Sequence, residues 1–321
     1  MKRTVPAALA AAALTVVPAV TTLAAPASAH ARPTSYTLTG DPGGSKFEGI
    51  GADTRRGLFY VSEVTGGEIH RGSARSARTE EWLAGDGTDG RFTARGITVD
   101  RAGRVYVAGG PNGIGQPDRP DLWVYSPSGR LLAALRAPGD DVFLNDVAIG
   151  PDGAAYFTNS NAPQVYRVAQ SRGGWTVSRW ADATGTVPQL EGFNLGGIVV
   201  SADRSALVVA QGTTGRLWRF ALRDGSVSEV ATGGADLTGA DGLVRQGHRL
   251  LVVRNFQRFV ATLTLTVDGR RAGLVSQRPT DPTRVLTTAK VLRGRILFVD
   301  SKFDETVATP PYEVVTDPYV G

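Results

Sequence analysis

Residues 145–157 of this chain, Asn-Asp-Val-Ala-Ile-Gly-Pro-Asp-Gly-Ala-Ala-Tyr-Phe, decide the fold. Val147 and Ile149 alternate with other residues, as in a strand that buries one face. Pro151 to Gly153 supply turn chemistry, and the apolar run that ends at Phe157 is typical of a second strand. The stretch therefore predicts a β-hairpin, and the same pattern recurs along the chain.

The hairpin pattern occurs six times. The second residue of the six copies is, in chain order, Gly49, Gly96, Asp146, Gly197, Gly242 and Ala289. Successive copies are about 45 to 51 residues apart, a period typical of propeller blades. Short strands also build β-sandwiches, but a sandwich needs no repeat of this length. We predict an all-β fold, a six-bladed β-propeller of four-stranded antiparallel blades around a central channel.

The first 29 residues are typical of a secretory signal peptide. Lys2 and Arg3 precede an uncharged run rich in Ala, Val and Leu, which ends in the small-residue site Ala27-Ser28-Ala29. A retained membrane anchor is the alternative, but three prolines interrupt the apolar run. We predict cleavage before His30 and a secreted, extracellular protein.

Residues 30–321 are predicted to form one propeller domain, because the repeat runs nearly end to end without a Pro- or Ser-rich linker. A closed ring of blades requires the two ends of the chain to share a blade. Residues 35–39 alternate like a strand, and residues 312–315 have the same character. We predict that both strands belong to the last blade.

Composition excludes several classes of function. The formal net charge is +5, and the basic residues are spread along the repeats, so neither a nucleic-acid nor a membrane partner is indicated. The chain has no Cys, which excludes disulfides, thiol chemistry and Cys-ligated zinc. Its three His residues are too scattered to predict a His-based triad or a two-His metal site.

One residue per repeat is expected at the mouth of the channel. The innermost strand of a propeller blade begins there, so the residue before each shared second position is displayed around it. These residues are Glu48, Arg95, Asn145, Gly196, Asp241 and Thr288. Two carboxylates and an amide are ligands for a hard cation such as calcium. Each of the three also has a structural interpretation: Glu48 as a solvated channel residue, Asn145 as an Asx turn, and Asp241 as a turn former. Arg95 has two interpretations, as the partner of Glu48 or another acid and as a site for an anionic ligand.

A further polar set recurs after the second strands of the repeats. Its members are Glu63, Asn159, Gln211, Asn255 and Asp300. These residues either line the channel more deeply or simply end the strands. Trp residues in the third and fourth strands are predicted to pack between blades.

With these motifs the chain resembles the gluconolactonase and regucalcin-like family of six-bladed propellers. The resemblance rests on Glu48-Gly49-Ile50, on Asn145-Asp146 and the turn that follows, and on Asp241-Gly242-Leu243. It covers about residues 47–304 and implies a divalent cation at the channel mouth, with calcium favoured and zinc or manganese as alternatives. By position, it implies that Glu48 and Asp241 bind the metal, that Asp241 also transfers the proton, and that Asn145 lies near the metal and contacts substrate.

The chain departs from the family pattern at two positions. Gly196 stands where the family carries a metal-binding Asn, and Asn194 could replace that ligand if its loop is rerouted. Phe143 stands where the family often has a substrate-binding Arg. The predicted metal ligands are therefore Glu48, Asn145, Asp241 and Asn194. The predicted substrate contacts are Arg95, Asn145 and Phe143.

Three functions are consistent with this pattern. The first is an exported, metal-dependent hydrolase of a lactone or ester, in which the cation polarises the carbonyl and Asp241 moves the proton. The second is a non-catalytic extracellular propeller that binds a small molecule or a protein partner on the same face. The third is a metal-free propeller similar to strictosidine synthase. The predicted partner in the first case is a small-molecule substrate.

Overall fold

The computed structural model describes residues 1, 2, 4 and 32–316. The predicted signal peptide, residues 1–29, lies outside the described residues except for positions 1, 2 and 4. Nowhere in the described part of the chain is there a helix with the length and hydrophobicity needed to cross a membrane.

All regular elements of residues 32–316 are β-strands. In chain order they are β1 (Ser35–Leu38), β2 (Phe47–Asp53), β3 (Leu58–Glu63), β4 (Ile69–Ser73), β5 (Ser76–Leu83), β6 (Ile97–Val99), β7 (Val105–Ala108), β8 (Leu122–Tyr125), β9 (Leu131–Leu135), β10 (Leu144–Ile149), β11 (Ala155–Asn159), β12 (Gln164–Ser171), β13 (Gly174–Asp182), β14 (Leu195–Val200), β15 (Ala206–Gln211), β16 (Arg216–Ala221), β17 (Val227–Glu229), β18 (Ala240–Gln246), β19 (Arg249–Arg254), β20 (Phe259–Leu265), β21 (Ala272–Pro279), β22 (Leu286–Leu292), β23 (Arg295–Asp300) and β24 (Tyr312–Thr316). The hairpin that decided the prediction is β10–β11.

Four sheets each contain four consecutive antiparallel strands: β6–β9, β10–β13, β14–β17 and β18–β21. The remaining eight strands form one sheet in the order β2-β3-β4-β5-β1-β24-β23-β22. Its two halves meet where Thr37 of β1 pairs in parallel with Arg78 of β5. The sequence did not predict this joining, which the Thr79 hydroxyl supports by donating to the Thr37 carbonyl at 2.7 Å.

The prediction that the two ends of the chain share a sheet is confirmed. Strand β1 pairs antiparallel with β24, with Ser35 opposite Val315 and Leu38 opposite Tyr312. The first strands of the six repeats also contact one another in a cycle: β2 with β6, β6 with β10, β10 with β14, β14 with β18, β18 with β22, and β22 with β2. The architecture is therefore all-β and of the β-propeller type.

Apolar side chains fill the spaces between neighbouring sheets. Tyr156 of β11, Leu195 of β14 and Trp218 of β16 belong to one such cluster, and Trp123 of β8 is fully buried in another. These contacts come from strands whose residues are nearly all buried, such as β8 and β15. Packing on both faces stabilises each sheet without disulfides.

Candidate functional site

Five of the six residues predicted at the channel mouth lie in a register shift that recurs in the first strands, and Arg95 lies just before β6. In β10 the antiparallel register shifts between Leu144 and Val147, and in β2 it shifts between Phe47 and Ile50. The same shift occurs in β14, β18 and β22. A bulge of this kind re-aims side chains and ends the regular ladder.

Glycine as the second residue of a repeat lets the first strands of neighbouring repeats approach closely. A Cβ atom on Gly49 would lie 2.1 Å from the Arg95 carbonyl oxygen, and one on Gly197 would lie 2.2 Å from the Asp241 carbonyl oxygen. No side chain fits such a gap, so the close approach requires glycine. The preceding residues of neighbouring sheets are thereby brought around one cavity.

This cavity, which we call the mouth cavity, has a volume of about 300 Å³. Its polar lining includes Glu48, Arg95, Asn145, Asp241 and Asn255. Its apolar lining includes the rings of Phe193, Phe256 and Phe303. The structure thus places the predicted residues Glu48, Arg95, Asn145, Asn194, Gly196 and Asp241 in one lining.

Asp241 faces the mouth cavity with one carboxylate oxygen held. The Asn255 amide donates to Asp241 Oδ2 at 3.0 Å. Burial raises the pKa of Asp241 well above its ordinary value, and the negative charge of Glu48 raises it further. A carboxyl group with a raised pKa keeps its proton to higher pH than an ordinary Asp, a property that suits a general acid or base.

Glu48 is 5% exposed and is paired with Arg95, whose Nη1 donates to Glu48 Oε2. Burial raises the pKa of Glu48, and the Arg95 charge opposes that shift without cancelling it. The Arg95 guanidinium also lies over the Phe143 ring, 4.6 Å from its centroid, and 6.0 Å from that of Phe193. Arg95 is therefore a fixed positive charge at the edge of the site.

Gly196 leaves an opening where its neighbours converge. A Cβ atom on Gly196 would lie 3.8 Å from Asn145 Oδ1 and 3.8 Å from Asp241 Oδ1. Asn145 itself is 7% exposed, and its side-chain amide makes no hydrogen bond to any of the described residues. These two side-chain oxygens, neither of which accepts a hydrogen bond from a described residue, therefore lie beside the space that a side chain at position 196 would fill.

Asn194 lines the mouth cavity, but its polar atoms are used within its own loop. Its amide nitrogen donates to the carbonyl oxygens of Leu190 and Gly192 at 2.8 and 3.0 Å. Its oxygen accepts from the Leu190 backbone and from Gln211 Nε2 at 2.9 and 3.1 Å. These bonds shape the loop, so a role as ligand would require several of them to break.

Asp146, the neighbour of Asn145, has a structural role. Its Oδ1 accepts from the backbone of Val147 at 2.8 Å, and its Oδ2 accepts from the backbone of Ile198 in the next sheet at 3.2 Å. The carboxylate thus ties two first strands together at a position where the other repeats have glycine or alanine. It also adds negative charge beside Glu48 and Asp241.

The aromatic part of the lining was not predicted from the sequence. Phe193 and Phe256 are 58% and 52% exposed, unusually high for rings of this size. Each is the sequence neighbour of a candidate polar residue, Asn194 for Phe193 and Asn255 for Phe256. A large apolar residue in a polar loop beside a candidate site residue is the signal that could have identified both.

The mouth donor set fits a hard divalent cation. Carboxylate oxygens of Glu48 and Asp241 and the amide oxygen of Asn145 line one cavity, and such oxygens are the ligands that calcium takes. Elsewhere, oxygens of Asp41, Glu63 and Glu68 lie within 4.8 Å of one another. In that acidic trio Glu63 already accepts from the Thr65 hydroxyl at 2.6 Å, and burial raises the pKa of Glu68.

Comparison with known proteins identifies related sequences and folds. Residues 47–247 match the SMP-30/Gluconolactonase/LRE-like region. No curated protein matches the chain by sequence.

Three solved structures share the fold. The major allergen Mala s 1 of Malassezia sympodialis aligns over 89% of this chain and 96% of its own, at 15% identity and a TM-score of 0.64. A gluconolactonase from Xanthomonas campestris aligns over 85% and 87%, at 18% identity and a TM-score of 0.59. Regucalcin from Agrobacterium tumefaciens, described as a calcium-binding protein, aligns over 85% and 94%, at 16% identity and a TM-score of 0.58.

Proposed function

Because the chain belongs to the SMP-30/gluconolactonase/LRE-like family, we propose that it is an exported, metal-dependent hydrolase of a lactone or ester. In this proposal residues 1–29 are a cleaved signal peptide and residues 30–321 form one domain. The eight-stranded sheet counts as two blades, β2–β5 and β22–β24 with β1, which gives six blades in total. The divalent cation, with calcium favoured, is held at the mouth cavity.

One observation carries the proposal: the carboxyl groups of Glu48, which is buried, and Asp241, which is half-buried, face one cavity and both have raised pKa values. Perturbed pKa values of this kind cluster at functional sites. In the proposal Glu48, Asn145 and Asp241 hold the cation, which supplies a Lewis acid for the substrate carbonyl. Asp241 takes and returns the proton, and Asn255 fixes its orientation. Asn194 is left out of this ligand set because its loop uses both of its polar atoms.

Arg95 and the phenylalanine rings suggest the character of the substrate. Phe193, Phe256 and Phe303 offer an apolar wall, while Arg95 Nη2 makes no hydrogen bond to a residue of the described chain. An apolar substituent on the lactone or ester would pack on this wall, and an oxygen of the substrate would accept from Arg95. We therefore favour an alkyl- or aryl-substituted substrate over a polyhydroxylated sugar lactone.

A second candidate is a propeller that binds such a compound without transforming it. The observation that favours it is the Arg95–Glu48 pair, because a guanidinium on one carboxylate both occupies a ligand and repels a cation. The glycine at position 196 removes another ligand. The two candidates differ in one measurable property, stoichiometric cation binding at the mouth cavity.

The deciding experiment is a calorimetric titration of the chelator-stripped protein with calcium, zinc and manganese. We expect one cation per chain for wild type and at least tenfold weaker binding for Glu48→Gln, since a charged ligand is lost. Glu68→Gln, which alters the acidic trio, is the matched control and should bind like wild type. Absence of binding to wild type, or a loss only in Glu68→Gln, would rule out the metal site proposed here.

Removal of the aromatic wall should raise KM for an apolar substrate. We expect Phe193→Ser and Phe256→Ser each to raise KM for a phenyl-substituted butyrolactone about 5- to 10-fold, because the substrate loses the apolar contact that the ring provides. The value for glucono-δ-lactone should change little. Phe92→Ser, at an exposed ring outside the mouth cavity, is the control. Equal effects on both lactones would contradict the assignment of the wall to substrate binding.

A further inference from the structure

The turns between first and second strands gather at the end of those strands opposite the mouth cavity. Residues 99–102 and 104, residues 149–153, and Val200 and Arg204 line one cavity there together with Arg245. Its volume is about 640 Å³, and we call it the basal basin. Because the turn recurs once per repeat, basic residues far apart in the sequence become neighbours on this face.

The two carboxylates of the basal basin are already neutralised by arginines. Asp100 Oδ2 accepts from Arg104 Nε at 2.6 Å. Asp152 Oδ2 accepts from Arg167 Nη2 at 2.7 Å. Neither acid is therefore available to balance the other cations that line the basin.

Arg245 is a cation without a counter-charge. Its Nε donates to the Val200 carbonyl at 2.5 Å and its Nη1 to the Gly247 carbonyl at 2.8 Å. No carboxylate among the described residues forms an ion pair with it, and burial lowers its pKa. A guanidinium that is partly removed from water and held by neutral carbonyl groups is unfavourable until an anion joins it.

Arg204 adds a second such charge from the preceding sheet. Its Nη2 donates to the Pro151 carbonyl at 3.2 Å, which directs the side chain along the basin. Its backbone has φ of 63°, in the left-handed region that rarely accommodates a residue with a Cβ atom. The chain thus accepts backbone strain at the position that presents this guanidinium.

One more cation and an apolar floor complete the basal basin, and a further cation lies in the cavity beside it. Arg101 lines it and has no carboxylate partner within residues 32–316. Lys290, equally unpaired in that range, lines an adjoining cavity of about 250 Å³ that shares Ile149, Val200 and Arg245 with the basin. Val99, Ile149 and Val200 form the apolar surface between the cations.

We propose that the basal basin binds a phosphate- or sulfate-type oxyanion carried on a small organic molecule with an apolar part. Guanidinium groups match such oxyanions in charge and in hydrogen-bond geometry. The apolar floor adds contacts that a free inorganic ion cannot use. This site is separate from the mouth cavity, so it does not depend on the proposed hydrolase activity.

The test is a calorimetric titration of the chelator-stripped full chain at low ionic strength with two probes, phenyl phosphate and inorganic phosphate. We expect phenyl phosphate to bind at least 5-fold more tightly than inorganic phosphate, and both affinities to fall as NaCl is added. Arg204→Gly should weaken phenyl phosphate binding at least 5-fold without lowering the melting temperature, because glycine relieves the positive φ. Arg245→Met, which keeps the apolar stem, should weaken it at least as much.

Two controls separate the basin from other cationic surfaces. Arg223→Ala, at a side chain that is 91% exposed and does not line the basin, should bind like wild type. Arg95→Met tests the mouth cavity and should also bind like wild type. The proposal is overturned if phenyl phosphate fails to bind at millimolar concentration, if Arg204→Gly and Arg245→Met bind unchanged, or if only Arg95→Met loses binding. Equal affinities for phenyl phosphate and inorganic phosphate would contradict the proposal that the ligand carries an apolar organic part.

Discussion

Asp241→Asn is expected to lower kcat for any lactone or ester substrate by about 10²- to 10⁴-fold, the usual contribution of a positioned acid or base. The substitution keeps the size of the side chain and its contact with Asn255 but removes the group that exchanges the proton. KM should change much less than kcat, because the apolar wall and Arg95 are untouched. Steady-state kinetics with the phenyl-substituted butyrolactone provide the measurement.

Asp300→Asn is the matched control for Asp241→Asn. Asp300 is 1% exposed, and burial raises its pKa as it does for Asp241, but it lies outside the mouth cavity. Its replacement should leave kcat within about twofold of wild type, a change smaller than 0.5 kcal/mol in the barrier. An equal loss of kcat in both variants would indicate a general effect of removing a buried acid and would remove Asp241 from the proposed mechanism.

Asp241→Asn should also change how the free energy of unfolding depends on pH. Because the pKa of Asp241 is higher in the folded than in the unfolded protein, the folded state binds more protons between those two values. The contribution of Asp241 to the free energy of unfolding is therefore fully present below the unfolded pKa and is lost as pH rises through the folded pKa. In the metal-free protein, Asp241→Asn should remove this decline and raise the free energy of unfolding at neutral pH. Chemical denaturation at several pH values measures both effects.

The fold was predictable because its signals are local and repeated. Each hairpin carries its own turn residues, and the spacing of the copies reports the sheets without any knowledge of distant contacts. The residues before the second position could likewise be assigned to one ring, and the structure places Glu48, Asn145 and Asp241 in one cavity lining. In a propeller, equivalent positions of the sequence repeats lie at equivalent places in the fold.

The interactions within that ring were less predictable, because they depend on side-chain conformations. The sequence left open whether Arg95 pairs with Glu48, and the structure contains that pair. The hydrogen bonds that hold Asn194 involve Leu190, Gly192 and Gln211, and no motif encodes them. Phe193 and Phe256 were not predicted from the sequence, because these loop aromatics belong to no repeat.

The clustering of charged residues on the folded protein was the property least predictable from the sequence. The spread of basic residues along the sequence indicated neither a nucleic-acid nor a membrane partner, yet Arg101, Arg204 and Arg245 line one cavity. They do so because each lies at or near the turn that follows a first strand. In a repeat protein, charge therefore has to be counted at equivalent positions of the repeats and not only along the chain.

Gly196→Asn is expected to raise the affinity for a divalent cation at least tenfold, which corresponds to about 1.4 kcal/mol. The argument is geometric: the new side chain would start 3.8 Å from both Asn145 Oδ1 and Asp241 Oδ1 and could add an amide oxygen to the same space. Since Gly196 does not have a positive φ, a residue with a Cβ atom introduces no backbone strain there. Calcium titration of the chelator-stripped variant measures the gain.

Gly196→Ala separates the donor from the added bulk, because it introduces the same Cβ atom without an oxygen. Its affinity for calcium should remain within about twofold of wild type, a difference of roughly 0.4 kcal/mol. The double variant Gly196→Asn with Arg95→Met should bind more tightly still, because removing the guanidinium frees Glu48 and ends the repulsion between two cations. If Gly196→Asn binds no better than Gly196→Ala, the space between Asn145 and Asp241 is not where a cation sits, and the non-catalytic binding function becomes the better account of the mouth cavity.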